Sequence, residues 1–599
     1  MKDVRALYEA RLQERRASAA LAARRARALS NARLAVFLLG LALTWPVFVA
    51  GVLSALWLVP VGAGFVSLVF AHDRARERRE RAARGAAFYE RGFARLALEG
   101  VDWGNTGERH ADPHHAYATQ LDLFGPGGLF SLLSQAQTPA GEATLAGWLL
   151  EPAEPEEIRA RQRAAAELAP RIELREDLFA LGPDDARRVH AEPLVEWAEA
   201  APRLGGAGLR AGLALLAAAC AVALVATLVR GEGIELALAL LALQGALCLA
   251  LRGRVRAVLG ALAARTRDLQ HLAHLFERVE RESFDAPRLR EVRARLDSAG
   301  AAPSRAIANL HRWVSLLDWR RNQLFAPLAP AVAWSTQLAF ALEAWRARHG
   351  PAVRRWLDGL GELEALADLG GYAFEHPGDP FPEIAESGPV FVARGLGHPL
   401  LDPERCVRND LELDPDHALV VVSGSNMSGK STFLRSVGSA VVLALAGAPV
   451  RADSLRVSAL ALGAVLRVQD SLRDGESRFY AELLALRRVA ELCAGPRPAL
   501  FLLDEILAGT NSSDRRAGAE AFLRGLVARG AVGLVTTHDL ALAAIADELA
   551  PRAKNAHFED QLTDGVLRFD YRLRDGVVAR GNALALMRAL GLDFPDTRG

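Results

Sequence analysis

The run Gly424-Ser425-Asn426-Met427-Ser428-Gly429-Lys430-Ser431-Thr432 fits the spacing G-x-x-x-x-G-K-[ST]. That spacing makes a loop that cradles phosphates. Gly424 and Gly429 let backbone N–H groups approach phosphate oxygens. Lys430 is in reach of the β- and γ-phosphates of a nucleotide, and the Ser431 hydroxyl is a ligand for Mg2+. The chain has only three lysines, Lys2, Lys430 and Lys554, and one occupies the position this pattern demands. Downstream, four apolar residues end in Asp504-Glu505. An aspartate at a strand end beside such a loop is a second Mg2+ ligand. The adjacent Glu505 is placed to polarise the attacking water. A third apolar run ends in Thr536-Thr537-His538-Asp539. A lone histidine at a strand end is ordinarily structural. Coming third in this order, His538 is assigned to the γ-phosphate or the water. The chemistry implied is binding and hydrolysis of ATP with Mg2+.

These residues need strands and helices to hold them. Residues 418–423 read as a buried strand, and the helix starting at Ser431 adds its N-terminal dipole. The composition changes near Pro377, Gly378, Pro380 and Pro382. Beyond that point, short β-like runs alternate with helices, so residues 376–599 are expected to form an α/β P-loop ATPase domain. Residues 121–205 and 257–375 are rich in Leu, Ala, Arg and Glu at helical spacing and predict an all-α core and lever in two parts. A net charge of +1 gives no whole-chain pull toward DNA or anionic lipid, so any basic surface must be local. The four cysteines are scattered, without C-x-x-C or metal-site spacing, as suits a reducing cytosol. His114 and His115 are adjacent and share no helix face, and no Cys/His cluster accompanies them.

Two further stretches belong to a different solvent. The run from Leu34 to Ala71 carries no charge and is long enough for two spans of about 20 residues each. It is preceded by a basic helix (1–32) and followed by a charged helix and linker (72–120). Arg24, Arg25, Arg27 and Arg33 lie before it, and Arg74, Arg76, Arg78, Arg79 and Arg81 after it. The segment 33–71 therefore predicts a transmembrane hairpin with both flanks cytoplasmic. A signal peptide fits poorly, because the run is too long and ends in no small-residue cleavage site. A buried soluble hairpin is the remaining alternative. Residues 206–256 hold a second apolar pair, 211–229 and 234–251, with Glu235 and Gln244 in its second member. They predict a second transmembrane hairpin, or failing that a soluble helical pair. Two hairpins place the soluble parts in the cytoplasm on a bacterial inner membrane.

Taken together, the motifs resemble the MutS family of mismatch-repair ATPases. Gly424–Thr432 is similar to the family's G-P-N-M-x-G-K-S-T loop, with Ser425 where Pro is usual. Residues 502–514 resemble its D-E-x-x-x-G-T loop, and Thr537-His538 its T-H switch. Residues 474–486 resemble its G-x-S-T-F-x-x-E signature, with Arg478 in place of Thr. The resemblance implies that Ser477 acts in trans, on the ATP of a partner subunit, and hence a homodimer. Residues 571–592 resemble the dimer-forming C-terminal helices, 129–168 the start of the helical core and 366–374 its end. The family's adenine-stacking aromatic is replaced in the lead-in by Cys406 and Val407. Phe88-Tyr89-Glu90 mimics the family's mismatch-reading Phe-x-Glu, but it sits in a charged helix rather than in an α/β reading domain, for which there is no room.

The expectation is thus a membrane-anchored, MutS-like ATPase lacking the mismatch-reading domain. It would act as a dimer in DNA processing, with DNA bound without mismatch specificity. The alternative is a membrane-remodelling or transport-like ATPase that uses the same motor. An inactive scaffold is disfavoured by Lys430, Asp504 and Glu505.

Overall fold

The computed structural model describes residues 2–98, 105–182, 192–231, 233–260, 262, 266–297, 300, 302–319, 326, 329–425, 427–466, 478–507, 512–563 and 566–577. The basic arm and the first apolar run form one continuous helix, α1 (Lys2–Thr44). A short π-turn and a 3-10 turn around Gly51 lead into α2 (Leu58–Ala97). α1 and α2 lie side by side as a long hairpin. Its far end exposes Trp45, Phe48, Val52 and Leu56, apolar side chains that water solvates poorly. Its near end is a core of Tyr8, Phe88, Tyr89 and Phe179. Phe88 is therefore a packing residue, buried against Tyr8 and Phe179. Tyr89 donates to Glu176 at 2.7 Å, and Glu90 pairs with Arg16 at 2.7 Å.

The helical middle comprises α3 (Leu129–Leu133), α4 (Pro139–Leu150), α5 (Pro155–Leu168), α6 (Ile172–Leu181) and α7 (Glu192–Glu199). A second apolar pair follows, α8 (Ala207–Arg230) and α9 (Ile234–Gly260). After it come α10 (Thr266–Glu280), α11 (Pro287–Asp297), α12 (Pro303–Asp318) and the 42-residue α13 (Trp334–Glu375). Four described helices, α1, α2, α8 and α9, are long and apolar enough to cross a membrane by length and composition. Within α9, Gln244 is buried and donates to the carbonyls of Pro330 (2.7 Å) and Ala331 (2.9 Å). Thr336, in the first turn of α13, donates to the Cys248 sulfur at 3.5 Å. The start of α13 is thereby fixed to the second apolar pair.

Close crossings fix the rest of α13. A Cβ at Gly361 would lie 2.7 Å from the Ala140 carbonyl carbon, and one at Gly370 would lie 3.0 Å from the Ala165 oxygen. These glycines let α13 sit directly on α4 and α5. Thr138 caps α4, accepting from the Gly141 N–H at 3.1 Å with Pro139 in the first turn. The Thr138 hydroxyl donates in turn to Glu364 of α13.

Beyond α13, ten strands form two sheets among the described residues. β1 (Glu383–Ala385), β2 (Phe391–Leu396), β3 (Asn409–Leu413) and β5 (Ser454–Ser458) make a mixed sheet in the order β1-β5-β2-β3. The second sheet contains β4 (Leu419–Ser423), β6 (Ala461–Val465), β7 (Ala499–Asp504), β8 (Val532–Thr537), β9 (Ala553–Thr563) and β10 (Val566–Asp575). Its order is β10-β9-β4-β8-β7-β6, parallel except for β10. β4 and β8 are buried along their whole length, as strands covered on both faces must be. The helices of this domain are α14 (Lys430–Ala446), α15 (Arg478–Leu492), α16 (Ser512–Ala528) and α17 (Leu540–Glu548). Its core continues into the helical part through Leu121, Leu129, Phe130, Leu145, Leu369 and Tyr372.

Glu364 is fully buried, and burial raises its carboxyl to about 7; hydrogen bonds from Thr138 and Gln137 oppose this, and the charge of Glu142 adds to it. Its ordinary value is 4.5, so the folded chain holds a proton there that the unfolded chain releases. This contribution to stability is present below pH 4.5 and is lost as pH rises through about 7. Glu364→Gln keeps the neutral shape without the proton. Thermal melts of the purified chain should then lose a pH-dependent component on the order of 3 kcal/mol between those limits. An unchanged pH dependence in the variant would contradict this.

Candidate functional site

The parallel order β4-β8-β7 brings three strand ends to one edge. Ser423 of β4 is level with Thr537 of β8, and Thr536 is level with Asp504 of β7. The loop after β4, the acidic pair after β7 and the histidine after β8 therefore converge at the carboxyl ends of neighbouring strands. This is where open α/β sheets hold ligands.

The loop turns through left-handed backbone at Met427 (φ 68°) and Gly429 (φ 103°). Gly429 caps α14, whose first residue is Lys430. The Lys430 ammonium is buried. It donates to the carbonyls of Gly424 (2.9 Å) and Ser425 (2.8 Å) and lies 3.7 Å from Glu505. Burial pushes its pKa down, and the carboxylates of Glu505 and Asp504 hold it up. The hydroxyls of Ser425 and Ser428 are buried without hydrogen-bond partners among the described residues. A phosphate fits these features: it supplies acceptors for two orphaned hydroxyls and anionic oxygens for a buried cation. Ser431 and Thr432 follow at the exposed start of α14.

Asp504 ends β7 and accepts from the Thr536 hydroxyl. Glu505 has φ 48°, unusual for a residue with a side chain, and its N–H bonds to the Thr536 carbonyl at 3.2 Å. This turn directs the Glu505 carboxylate between Lys430 and His538, whose Nδ1 is 3.5 Å away. Met427, Gly429, Lys430, Ser431, Thr432, Asp504 and Glu505 all line one cavity of about 860 Å3. That is a typical size for a small-molecule site.

Among the lining residues that the sequence did not single out, two bear on the site. Glu482 of α15 is buried and accepts from the Leu507 N–H, tying the turn after Glu505 to α15. Its signal is the glutamate that ends the G-x-S-T-F-x-x-E pattern within 474–486. Tyr571 of β10 lies against the loop, its ring 3.0 Å from where a Cβ on Gly429 would sit. Asn409 holds the backbone there, donating to the Tyr571 carbonyl at 3.0 Å and accepting from the Leu573 N–H at 2.7 Å. Cys406 and Val407 line the same cavity. Asn426, Ser477, the Gly509-Thr510 loop and residues 578–599 lie outside the described residues.

Residues 420–595 match the family described as MutS domain V. The chain is 33% identical over 241 residues to a DNA mismatch repair protein MutS 2 of Halobacterium salinarum, covering 39% of this chain and 27% of that protein. It is 28% identical over 279 residues to the DNA mismatch repair protein MutS of Brevibacillus brevis, covering 45% of this chain and 32% of that protein. It is 33% identical over 203 residues to an Endonuclease MutS2 of Thermus thermophilus, covering 33% of this chain and 25% of that protein. The matched region thus spans between a quarter and a third of these relatives' length. The strand-end site lies within the stretch that matches the family model, so the domain that carries it is similar to domain V of MutS proteins.

Proposed function

We propose that this chain is a membrane-anchored MutS-like ATPase, working as a homodimer and coupled to DNA binding without mismatch specificity. The observation that carries the catalytic part is the Lys430–Glu505–His538 constellation beside two buried hydroxyls that have no partner among the described residues. On ATP binding, Lys430 exchanges the carbonyls of Gly424 and Ser425 for β- and γ-phosphate oxygens. Ser425 and Ser428 donate to phosphate, and the loop N–H groups add their dipoles. Ser431 and Asp504 would hold Mg2+, which supplies positive charge to the phosphate oxygens. Glu505 accepts a proton from the attacking water, and His538 orients the water or contacts the γ-phosphate. Tyr571 is the aromatic available to stack on the base, a place that Cys406 and Val407 leave open.

Four long apolar helices with exposed apolar faces and arginine-rich flanks support the membrane anchor. In this reading the chain sits in a bacterial inner membrane with its soluble parts in the cytoplasm. The burial of Phe88 supports DNA binding without mismatch reading, since the Phe-x-Glu at residues 88–90 is occupied in packing. A membrane-remodelling role for the same motor is favoured by one observation. α13 joins the nucleotide domain at one end and the second apolar pair at the other.

Three outcomes test this reading. Glu505→Gln should bind ATP as the parent does and lose about 10²–10⁴-fold in turnover, whereas Lys430→Ala should weaken binding itself. ATP titration and a phosphate-release assay separate the two, and normal turnover in Glu505→Gln would place the base elsewhere. Isolated membranes washed with carbonate should retain the chain; its release would sink the anchor. In competition, a single-mismatch duplex and a perfect duplex should bind within about tenfold of each other, with both affinities falling steeply as salt rises. A larger mismatch preference would restore a repair sensor.

A further inference from the structure

A second large cleft, of about 880 Å3, shares no lining residue with the nucleotide cavity and lies between α2 and α10. Seven arginines and five carboxylates line it. Its floor is tied together. Asp177 of α6 accepts from Arg81 of α2 at 2.6 Å and from Arg278 of α10 at 2.7 Å. Higher up, Gln270 of α10 meets Glu77 of α2 at 3.5 Å. These two ties show that α2 and α10 run in the same direction, so the start of α10 lies level with the part of α2 that leaves the apolar run.

That level is informative. Residues 73–78 lie roughly 3–10 Å past Ala71 along α2, at 1.5 Å per residue. The headgroup layer of a bilayer is about 5–8 Å thick on each side. With the apolar hairpins in a membrane, the open end of the cleft faces the headgroups.

The charges there are unevenly matched. The carboxylates have partners: Glu80 bonds Arg76 at 2.8 Å, Glu277 bonds Arg281, Glu77 meets Gln270, and Asp73 lies 3.7 Å from His72. Asp268 is engaged as well. Two of the lining arginines, Arg78 and Arg267, have no ion pair among the described residues, and both are exposed. They stand on the two walls, Arg78 on α2 and Arg267 at the start of α10.

We infer that this cleft binds the phosphate of an anionic phospholipid headgroup, with Arg78 and Arg267 as its charged contacts. The inference rests on the membrane reading of the hairpins. Basic pockets at the cytoplasmic ends of spanning helices recognise such headgroups by charge and donor geometry. A bound headgroup would bridge the first hairpin, through α2, to the helix that follows the second. Bilayer composition would then bear on how the two hairpins are held together.

The test uses the full chain in mild detergent, titrated with fluorescent phosphatidylglycerol or phosphatidylcholine. Both arginines are exposed, so Arg78→Gln/Arg267→Gln should fold. The control Arg33→Gln/Arg74→Gln removes equal charge from the same membrane flank outside the cleft. The expected result is preference for phosphatidylglycerol, weakened about tenfold or more in the cleft variant only. Excess inorganic phosphate and excess duplex DNA should fail to displace the lipid. Equal loss in both variants, or none in the cleft variant, would overturn the inference. Displacement by phosphate would mark a free-anion site instead, and displacement by duplex a nucleic-acid face. Carbonate extraction of the same variants reports on the hairpins separately: retention without arginine-dependent lipid binding defeats the headgroup site alone.

Discussion

One helix belongs to every core of the molecule. α13 contributes Leu338, Trp345, Trp356 and Leu363 to the helical core, and Ala365, Leu369 and Tyr372 to the core of the nucleotide domain. Its last residue, Glu375, is fully buried in an ion pair with Arg95 of α2 and accepts from the Tyr8 hydroxyl of α1 at 3.0 Å. Its first turn is bonded to α9. Removing one partner of a buried pair typically costs about 3–5 kcal/mol, so the Arg95–Glu375 joint is stiff. Gly361 and Gly370 remove the clearance that side chains would give between α13 and the helices it crosses. Packed this closely, α13 cannot shift at one end without disturbing the others, because packed interiors transmit strain.

The proposed motor acts on that rod through the nucleotide cavity. In this structure the Lys430 cation is satisfied by loop carbonyls and a nearby carboxylate, a closed arrangement needing no ligand. A nucleotide must offer better partners than these, and its phosphates are anionic where the carbonyls are only dipolar. The exchange would relieve the loop and also Glu505, which sits between Lys430 and His538. α14 carries Lys430 at its start and packs against α4 and α5, and these are the helices on which α13 lies. The path from phosphate to α13 is therefore two helix contacts long.

What was legible in the sequence was local. The loop and the acid pair announce themselves by spacing within a few residues, and the apolar pairs by length. What was not legible depends on pairings between distant segments. Tyr571 reaches the loop because β10 adds to β9 and β9 to β4, an order no spacing reveals. Asn409 fixes that tyrosine from a different sheet, 162 residues away. α13 as one helix was also hidden, because Pro351 lies inside it and proline ordinarily interrupts a helix. Phe88 shows the converse. Its local pattern mimics a reader of DNA, its charged-helix setting already argues against that role, and the packing of α1 on α2 assigns it to a core.

The central claim is that the nucleotide state is felt at the far end of α13. That helix is roughly 60 Å long at 1.5 Å per residue, so its first turns lie well beyond direct contact with the cavity. Hydrogen exchange of the full chain in detergent, followed by mass spectrometry with and without ATP, reads this directly. The Glu505→Gln variant, proposed to bind ATP without hydrolysing it, would hold the bound state steady. The account predicts altered protection in peptides covering the first turns of α13 and the Gln244–Cys248 part of α9, alongside the phosphate loop. Protection changes confined to the loop, the acid pair and their immediate neighbours would contradict it.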